Sequence, residues 1–349
     1  MRKYLLPEKG NFYKANLHCH STWSDGAHTP AELKELYKAR GYSVLSITDH
    51  DALFSHYELD DDEFITITGF EIEKNEHIDK NFNYCATTHI CAYAFDKENF
   101  RQPGFDKNIQ APWIKWINDP EKRALIRPLG EPFADSHSPE NINHIMRTLR
   151  ENGFIVTYNH PAWSLENYPM YSKYTEMDNL EIYNHGCYIA GYNDHNGHVY
   201  DELLHLQEES GRKNGRKLFC VAADDNHRSI NGDHHDMFGG FTMFRAEKLS
   251  YDSIMNAFKN GDFYASTGPE IKSLYAEDGK LFVETASPAE SIRLITGNRC
   301  AHCCYNDDGT PINRAEFDIH PDSGYVRVEV IDGSKKAYSN AYFTDELPF

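Results

Sequence analysis

Residues 15–26 read ANLHCHSTWSDG. Ala15, Leu17 and Cys19 alternate with Asn16, His18 and His20. That two-residue period belongs to a β-strand and puts His18 and His20 on one face of it. Two imidazoles on one face can hold one metal ion. A surface strand with two polar side chains would show the same alternation, so the reading turns on whether further ligands lie elsewhere in the chain.

Outward from this motif, strands and helices take turns. HTPAELKELYKARG carries a capping box at Thr29 and Glu32 with Pro30 at the first helical position, and Gly41 stops the helix. YSVLSITDHD, EFITITGFEIE and THICAYAF read as strands, the first two ending in polar clusters. Residues 96–137 are irregular, rich in Pro and Trp, and read as a lid-like excursion with short helices. SPENINHIMRTLRENG is a capped helix, FIVTYNHP and NLEIYN are strands, VYDELLHLQEESGRKNG is helical, and KLFCVAADDNH and GGFTMFRAE are strands. SYDSIMNAFKNG is a helix leading into DFYASTGPEI. This alternation predicts an α/β fold with a largely parallel sheet, and about seven such units in roughly 270 residues predict a closed barrel. From residue 269 onward apolar and polar residues alternate between Gly and Pro turns, which predicts a small antiparallel β domain over 269–349 beside a barrel over 1–268.

In such a barrel the chemistry sits at the C-terminal strand ends. Those ends and their loops carry His18, His20, Asp25, His50, Glu71, His89, His160, Asp225 and His227. His89 is preferred to His77 because THICAYAF reads as a strand and EKNEHIDKN as a loop. In D-x-H, Asp225 shares a face with His227, which leaves Asp224 as a structural acid. Imidazole and carboxylate suit Zn, Mn or Fe, and this many ligands suit two or three ions.

Composition sets the outer limits. The chain has 349 residues, 40% hydrophobic and 13% aromatic, enough for a full core. Its formal net charge of −19 repels phosphate backbones and argues against duplex nucleic acid as a main partner. MRKYLLPEKGNF is not a signal peptide, and no apolar run reaches the roughly 18 residues of a membrane span, so a soluble, cytoplasmic protein is expected. Cys19, Cys85, Cys91, Cys187 and Cys220 sit singly in apolar runs, as buried free thiols do.

NLHCHSTWSDG, SITDHD, YNHPAWS and AADDNHR, taken in order, resemble the PHP family, named for polymerase and histidinol phosphatase. GDFYASTGPEI followed by a β module resembles its CehA/McbA-type metallohydrolase subgroup. The resemblance implies a distorted seven-stranded, TIM-like (β/α)7 barrel with a multinuclear metal site. It implies one ion held by His18, His20, Glu71 and Asp225, a second by Glu71, His89 and His160, and a third by Asp25, His50 and His227. Close-set divalent ions lower the pKa of a bridging water toward neutrality and supply hydroxide. The expected enzyme is therefore a phosphoesterase that cleaves a small phosphomonoester or nucleotide-type phosphate. Carbamate or carboxylic-ester hydrolysis and a non-catalytic metal-binding scaffold are the rival readings.

Beyond the ligands, Asp49 and Asp51 flank His50 and are candidates to hydrogen-bond ligand imidazoles. Arg228 is a candidate phosphate clamp, and His234 or His235 a candidate proton donor to the leaving oxygen. CAHCC at 300–304 lacks a second pair at zinc-finger spacing. His185, His195 and His198 read as pocket or surface histidines, and Trp113 and Trp116 as packing residues.

Overall fold

The computed structural model describes residues 1–76, 81–209, 216–227 and 235–349. After a two-residue strand β1 (Lys3–Tyr4), the opening motif begins as β2 (Asn11–Asn16). The strand expected over 15–20 stops at Asn16, because the next residues leave their first ladder to bond another part of the chain. Asp225 N–H donates to His18 O at 2.9 Å, His20 N–H donates to Asn226 O at 3.1 Å, and Cys19 forms a parallel bridge with Asn226. Helix α1 (Pro30–Lys38) has the predicted capping box, with Thr29 Oγ1 accepting from Glu32 N–H and the Glu32 carboxylate accepting from Thr29 N–H.

Strands β3 (Val44–Ile47) and β4 (Ile65–Asn75) join β2 in parallel. The next strand, β5 (Thr87–Ala94), runs antiparallel to β4. This corrects the largely parallel expectation. A parallel neighbour needs a crossover of about a dozen or more residues, usually a helix, whereas an antiparallel pair needs only a turn. The described part of the β4–β5 connection holds a 3-10 turn at Phe82–Tyr84 and no α-helix.

The excursion that follows contains β6 (Arg101–Pro103), α2 (Pro120–Leu125) and β7 (Arg127–Leu129). Helix α3 (Pro139–Glu151) then leads into β8 (Phe154–Tyr158), antiparallel to β5. Helix α4 (Tyr168–Tyr171), strand β9 (Asn179–Asn184), helices α5 (His185–Ile189) and α6 (Gly197–Glu209), and strand β10 (Phe219–Ala223) follow. Strands β8, β9 and β10 are mutually parallel. Strand β11 (Phe241–Ala246) lies antiparallel to β2, and helix α7 (Tyr251–Asn260) connects it to β12 (Phe263–Ser266).

The ladders of the large sheet trace an open path, β10-β9-β8-β5-β4-β3-β2-β11-β12, instead of the closed ring of βα units expected from sequence. Among the described residues the β10 end returns to β2 through the Cys19–Asn226 bridge and to β11 through Thr242 Oγ1, which accepts from Ala222 N–H at 3.2 Å. The result is a mixed, strand-rich α/β fold. Ala15, Leu17, Val44, Ile67, Cys91, Tyr93, Ile155 and Val221 pack together as one apolar cluster. Ile90, Val156, Leu180 and Ile182 pack with Ile142, Ile145 and Leu149 of α3 and with Leu203 and Leu204 of α6.

From Ile271 onward the chain is all β with 3-10 turns. Strands β13 (Ile271–Glu277), β14 (Lys280–Ala289) and β17 (Ile312–Asp318) form an antiparallel sheet with β1. Strands β15 (Ser291–Thr296), β16 (His302–Cys304), β18 (Tyr325–Asp332), β19 (Lys335–Ser339) and β20 (Tyr342–Phe343) extend the large sheet. That sheet continues across residue 268, since Ala265 of β12 pairs with Tyr338 of β19. Buried Arg327 of β18 reaches α6, with Nε 2.7 Å and Nη2 2.6 Å from the Asp201 carboxylate and Nη1 2.7 Å from Glu329. All eight cysteines are free, and the five singled out in the sequence are buried. Among the described residues no helix is long and apolar enough to cross a membrane.

Candidate metal centre

Strand ends deliver the side chains. His18 and His20 lie just past β2, His50 past β3, His160 past β8, and Asp225 and His227 past β10. Glu71 comes from within the long β4. His89, near the start of β5, enters the same space because β5 runs the other way. His160 and Asp225 have positive φ, 23° and 53°, a conformation that bulky residues avoid and that turns each side chain off its strand direction. Asp25 sits in a turn pressed against the motif. A Cβ on Gly26 would fall 2.3 Å from His20 O, so glycine is needed there.

Glu71 lies at the centre. Its carboxylate oxygens are 3.1 Å from His18 Nε2, 3.3 Å from His20 Nε2, 3.2 Å from His50 Nδ1, 3.0 Å from His89 Nδ1 and 3.5 Å from His160 Nε2. Asp225 Oδ1 is 3.1 Å from both His18 Nε2 and His20 Nε2. Asp25 Oδ2 is 3.7 Å from His50 Nε2 and 3.5 Å from His227 Nε2. Four donor groups, each within 4.8 Å across, overlap here: His18, His20, Glu71 and Asp225; Glu71, His89 and His160; His20, Asp25, His50 and His227; and His18, His160 and Glu181. All nine residues read from the sequence thus meet in one place, and His20 takes part in two of the groups.

This donor set fits divalent cations. One carboxylate offers about four lone-pair sites and cannot satisfy five imidazoles as hydrogen bonds. His18 and His20 point their Nε2 atoms at each other across 3.3 Å. His50 Nδ1, His89 Nε2 and Asp225 Oδ1 are buried without a hydrogen-bond partner. Such atoms are costly to bury unless a charge of the right sign lies between them. Electrostatics agree. Burial pushes His18 and His20 down, but Asp225, Glu71 and neighbouring carboxylates outweigh it and hold both well above the usual histidine range. The same balance takes His160 up to about 9. Burial raises Glu71 and Asp225, yet the imidazoles around them, His18 first, hold both well below the carboxylate range. The carboxylates favour positive charge on these imidazoles, as they would favour a cation between them.

A surrounding layer orients the ligands. Glu181, which the sequence reading passed over, is buried in β9 with Oε1 2.9 Å from His18 Nδ1. The carboxylate accepts, so Nδ1 carries a proton and Nε2 is the nitrogen that a cation in the cage would take. Glu181 Oε2 accepts from His160 N–H at 3.1 Å and from Asn184 Nδ2 at 2.9 Å. Trp116, fully buried, donates its indole N–H to His50 O at 2.8 Å.

Asp49 does not touch an imidazole, contrary to expectation. Its carboxylate is occupied by Ser21 and Ser24, through N–H donors at 2.8 and 3.2 Å and Oγ donors both at 2.6 Å. Ser24 Oγ lies 3.4 Å from His20 Nδ1, so Asp49 acts on the ligand through the serine. The Asp51 side chain lines a neighbouring cavity and likewise contacts no ligand imidazole. Asp224 is structural, accepting from the N–H groups of Phe238, Gly239 and Gly240 and from Tyr37 OH. Arg228, His234 and the alternative His77 lie outside the described residues; His235 is exposed. His185 and His195 hydrogen-bond to Tyr183 and Tyr338, and His198 is exposed on α6. Among the described residues no metal-type donor group forms at Cys300–Cys304.

A cavity of about 640 Å³ opens on the cage. Asp25, His50, Glu71, His89, His160, Asp225 and His227 form its metal-side wall, with Glu73 and Asp236 beside them. Trp113, Trp163, Cys187, Ile189 and Ala190 line it as well. Trp113 is therefore not a packing residue: it is 55% exposed, whereas Trp116 is fully buried.

No family model matches the chain. Over 69 residues, 18% of the chain, it is 41% identical to the 5'-3' exoribonuclease of Haemophilus influenzae, and the match covers 24% of that protein. Over 37 residues, 11% of the chain, it is 51% identical to the DNA polymerase/3'-5' exonuclease PolX of Bacillus subtilis, covering 6% of that protein. The matched segments thus span a quarter or less of these curated relatives. Among solved structures, the chain is similar to a two-domain protein from Bacteroides vulgatus containing a predicted PHP-like metal-dependent phosphoesterase, with TM-score 0.43 and 13% identity over 98% of this chain and 97% of that one. It is also similar to an amidohydrolase from Chromobacterium violaceum with bound sulfate and no metal, with TM-score 0.39 and 14% identity over 62% of this chain and 89% of that one.

Proposed function

We propose that the chain is a PHP-type metal-dependent hydrolase that cleaves a small phosphomonoester at a centre of two or three divalent ions. The observation that carries this reading is the Glu71 carboxylate, ringed by five imidazole nitrogens at 3.0–3.5 Å inside a buried cage that also holds Asp225. The nuclease names of the two curated relatives support phosphoester chemistry over their short matched segments.

In this reading His18, His20, Glu71 and Asp225 would hold one ion, Glu71, His89 and His160 a second, and Asp25, His50 and His227 a third. Divalent ions held there would supply an activated water and neutralise charge on the ester oxygens. The chain's own residues do the positioning. Glu71 spans the first two donor groups and fixes their spacing. Glu181 and Ser164 take up the outward Nδ1 atoms of His18 and His160, at 2.9 and 3.1 Å, leaving Nε2 of each for the cage. Asp236 accepts the His227 N–H at 2.9 Å and steadies the rim.

The test is hydrolysis by the protein reconstituted with Mn, Zn or Fe. Cleavage of phosphomonoesters that a chelator abolishes and added metal restores supports the proposal. Cleavage of an aryl ester or carbamate with every phosphate left intact replaces it with carbonyl chemistry at the same centre.

A further inference from the structure

The cavity beside the cage joins a carboxylate-rich lining to an apolar one. Its metal-side wall holds the carboxylates of Asp25, Glu71, Glu73, Asp225 and Asp236 among the histidines. Apolar lining comes from three places in the sequence: Trp113 from the excursion after β5, Trp163 beside His89 and His160, and Cys187, Ile189 and Ala190 from α5 and the residue after it. No lysine or arginine is among the described residues that line it. Among the described lining residues a second negative charge away from the reacting group finds five carboxylates and neither lysine nor arginine, and burying it without a partner is costly. An uncharged flat group instead gains by covering the exposed indole of Trp113.

Resting on the metal-dependent reading above, we infer that the substrate is an ester whose one charged or polarised centre goes to the ions and whose remainder is a neutral aromatic or similarly flat apolar group stacked on Trp113. Trp113 is the specificity residue, with Ile189 and Ala190 lining the same cavity. The cavity is within the few-hundred to ~1,000 Å³ range of small-molecule sites and takes a one- or two-ring group. Nucleoside polyphosphates and oligonucleotides, which carry charge on every unit, fit it poorly.

The test measures binding by calorimetry to the metal-loaded protein with two phosphonates, phenylphosphonate and methylphosphonate, with ADP as the highly charged competitor. Phenylphosphonate is expected to bind at least about tenfold more tightly than methylphosphonate. Trp113→Ala is expected to move that ratio toward one, with an unchanged melting temperature showing that the exposed side chain is not needed for folding. Ala190→Lys, at an exposed position, is expected to improve ADP binding. Equal affinities for the two phosphonates, a ratio untouched by Trp113→Ala, or ADP as the tightest ligand would overturn the inference while leaving the phosphoesterase reading in place. Absence of phosphonate binding together with Trp113-dependent cleavage of a neutral aryl ester would overturn the phosphoesterase reading and keep the apolar pocket. Failure of all probes to bind or react would overturn both.

Discussion

Glu181 Oε1 lies 2.9 Å from Nδ1 of His18, and both side chains are buried. This contact decides which His18 nitrogen faces the cage. Glu181→Gln keeps the shape but allows the amide to present either an acceptor or a donor, so the tautomer is no longer fixed. Metal affinity is expected to fall about 10- to 100-fold, as for other partners that orient metal-bound histidines. A competition titration against a chromogenic chelator measures it. Unchanged affinity would mean that Glu181 only fills space.

Arg327 is buried and shared by Asp201 and Glu329. Removing one partner of a buried ionic group strands the others. Arg327→Met is expected to cost about 3–5 kcal/mol in urea unfolding. The triple change Arg327→Met, Asp201→Leu, Glu329→Met is expected to recover most of it. Failure of the triple variant to recover stability would mean that the pairs do more than satisfy one another.

Asp194 is fully buried, with Oδ1 2.6 Å from Asn196 Nδ2 and no hydrogen-bond partner for Oδ2. Burial, then the nearby Glu181 charge, pushes its carboxyl up to about 7. An unfolded aspartate titrates near 3.9, so over the window from about 4 to 7 the folded chain holds the proton more tightly. Stability from this group is full below that window and is lost as pH rises through it. In metal-free protein, Asp194→Asn should therefore gain stability relative to the parent between pH 5 and pH 8. Thermal melts of both proteins across that range check it, since other titrating groups cancel in the difference. A constant difference would contradict the assignment.

Much of the site was legible because its ligands follow simple periodicities. HxH and DxH put pairs on one face, and polar residues at the ends of apolar runs marked the strand termini. The capping box at Thr29 and Glu32 was equally plain. Glu181 was not, because one acid inside NLEIYN looks like any polar residue facing out of a strand; here it faces in, between the runs that bury Leu180 and Ile182. The reversal of β5 was missed for a related reason: apolar composition identifies a strand but not its direction, which depends on what the connection can span. Trp113 and Trp116 sit three residues apart in an irregular segment, where no helical or strand period says which one is buried. Asp49 satisfies the N–H groups and hydroxyls of Ser21 and Ser24, a local demand that outweighed the nearby imidazoles.

The central claim is that these nine side chains hold ions. Elemental analysis of the protein purified from metal-supplemented culture and dialysed free of loose ions tests it most directly. The account predicts two or three transition-metal ions per chain, with at least one lost in His89→Ala. A folded wild-type protein that retains none, and takes up none on addition of Mn, Zn or Fe, would contradict it.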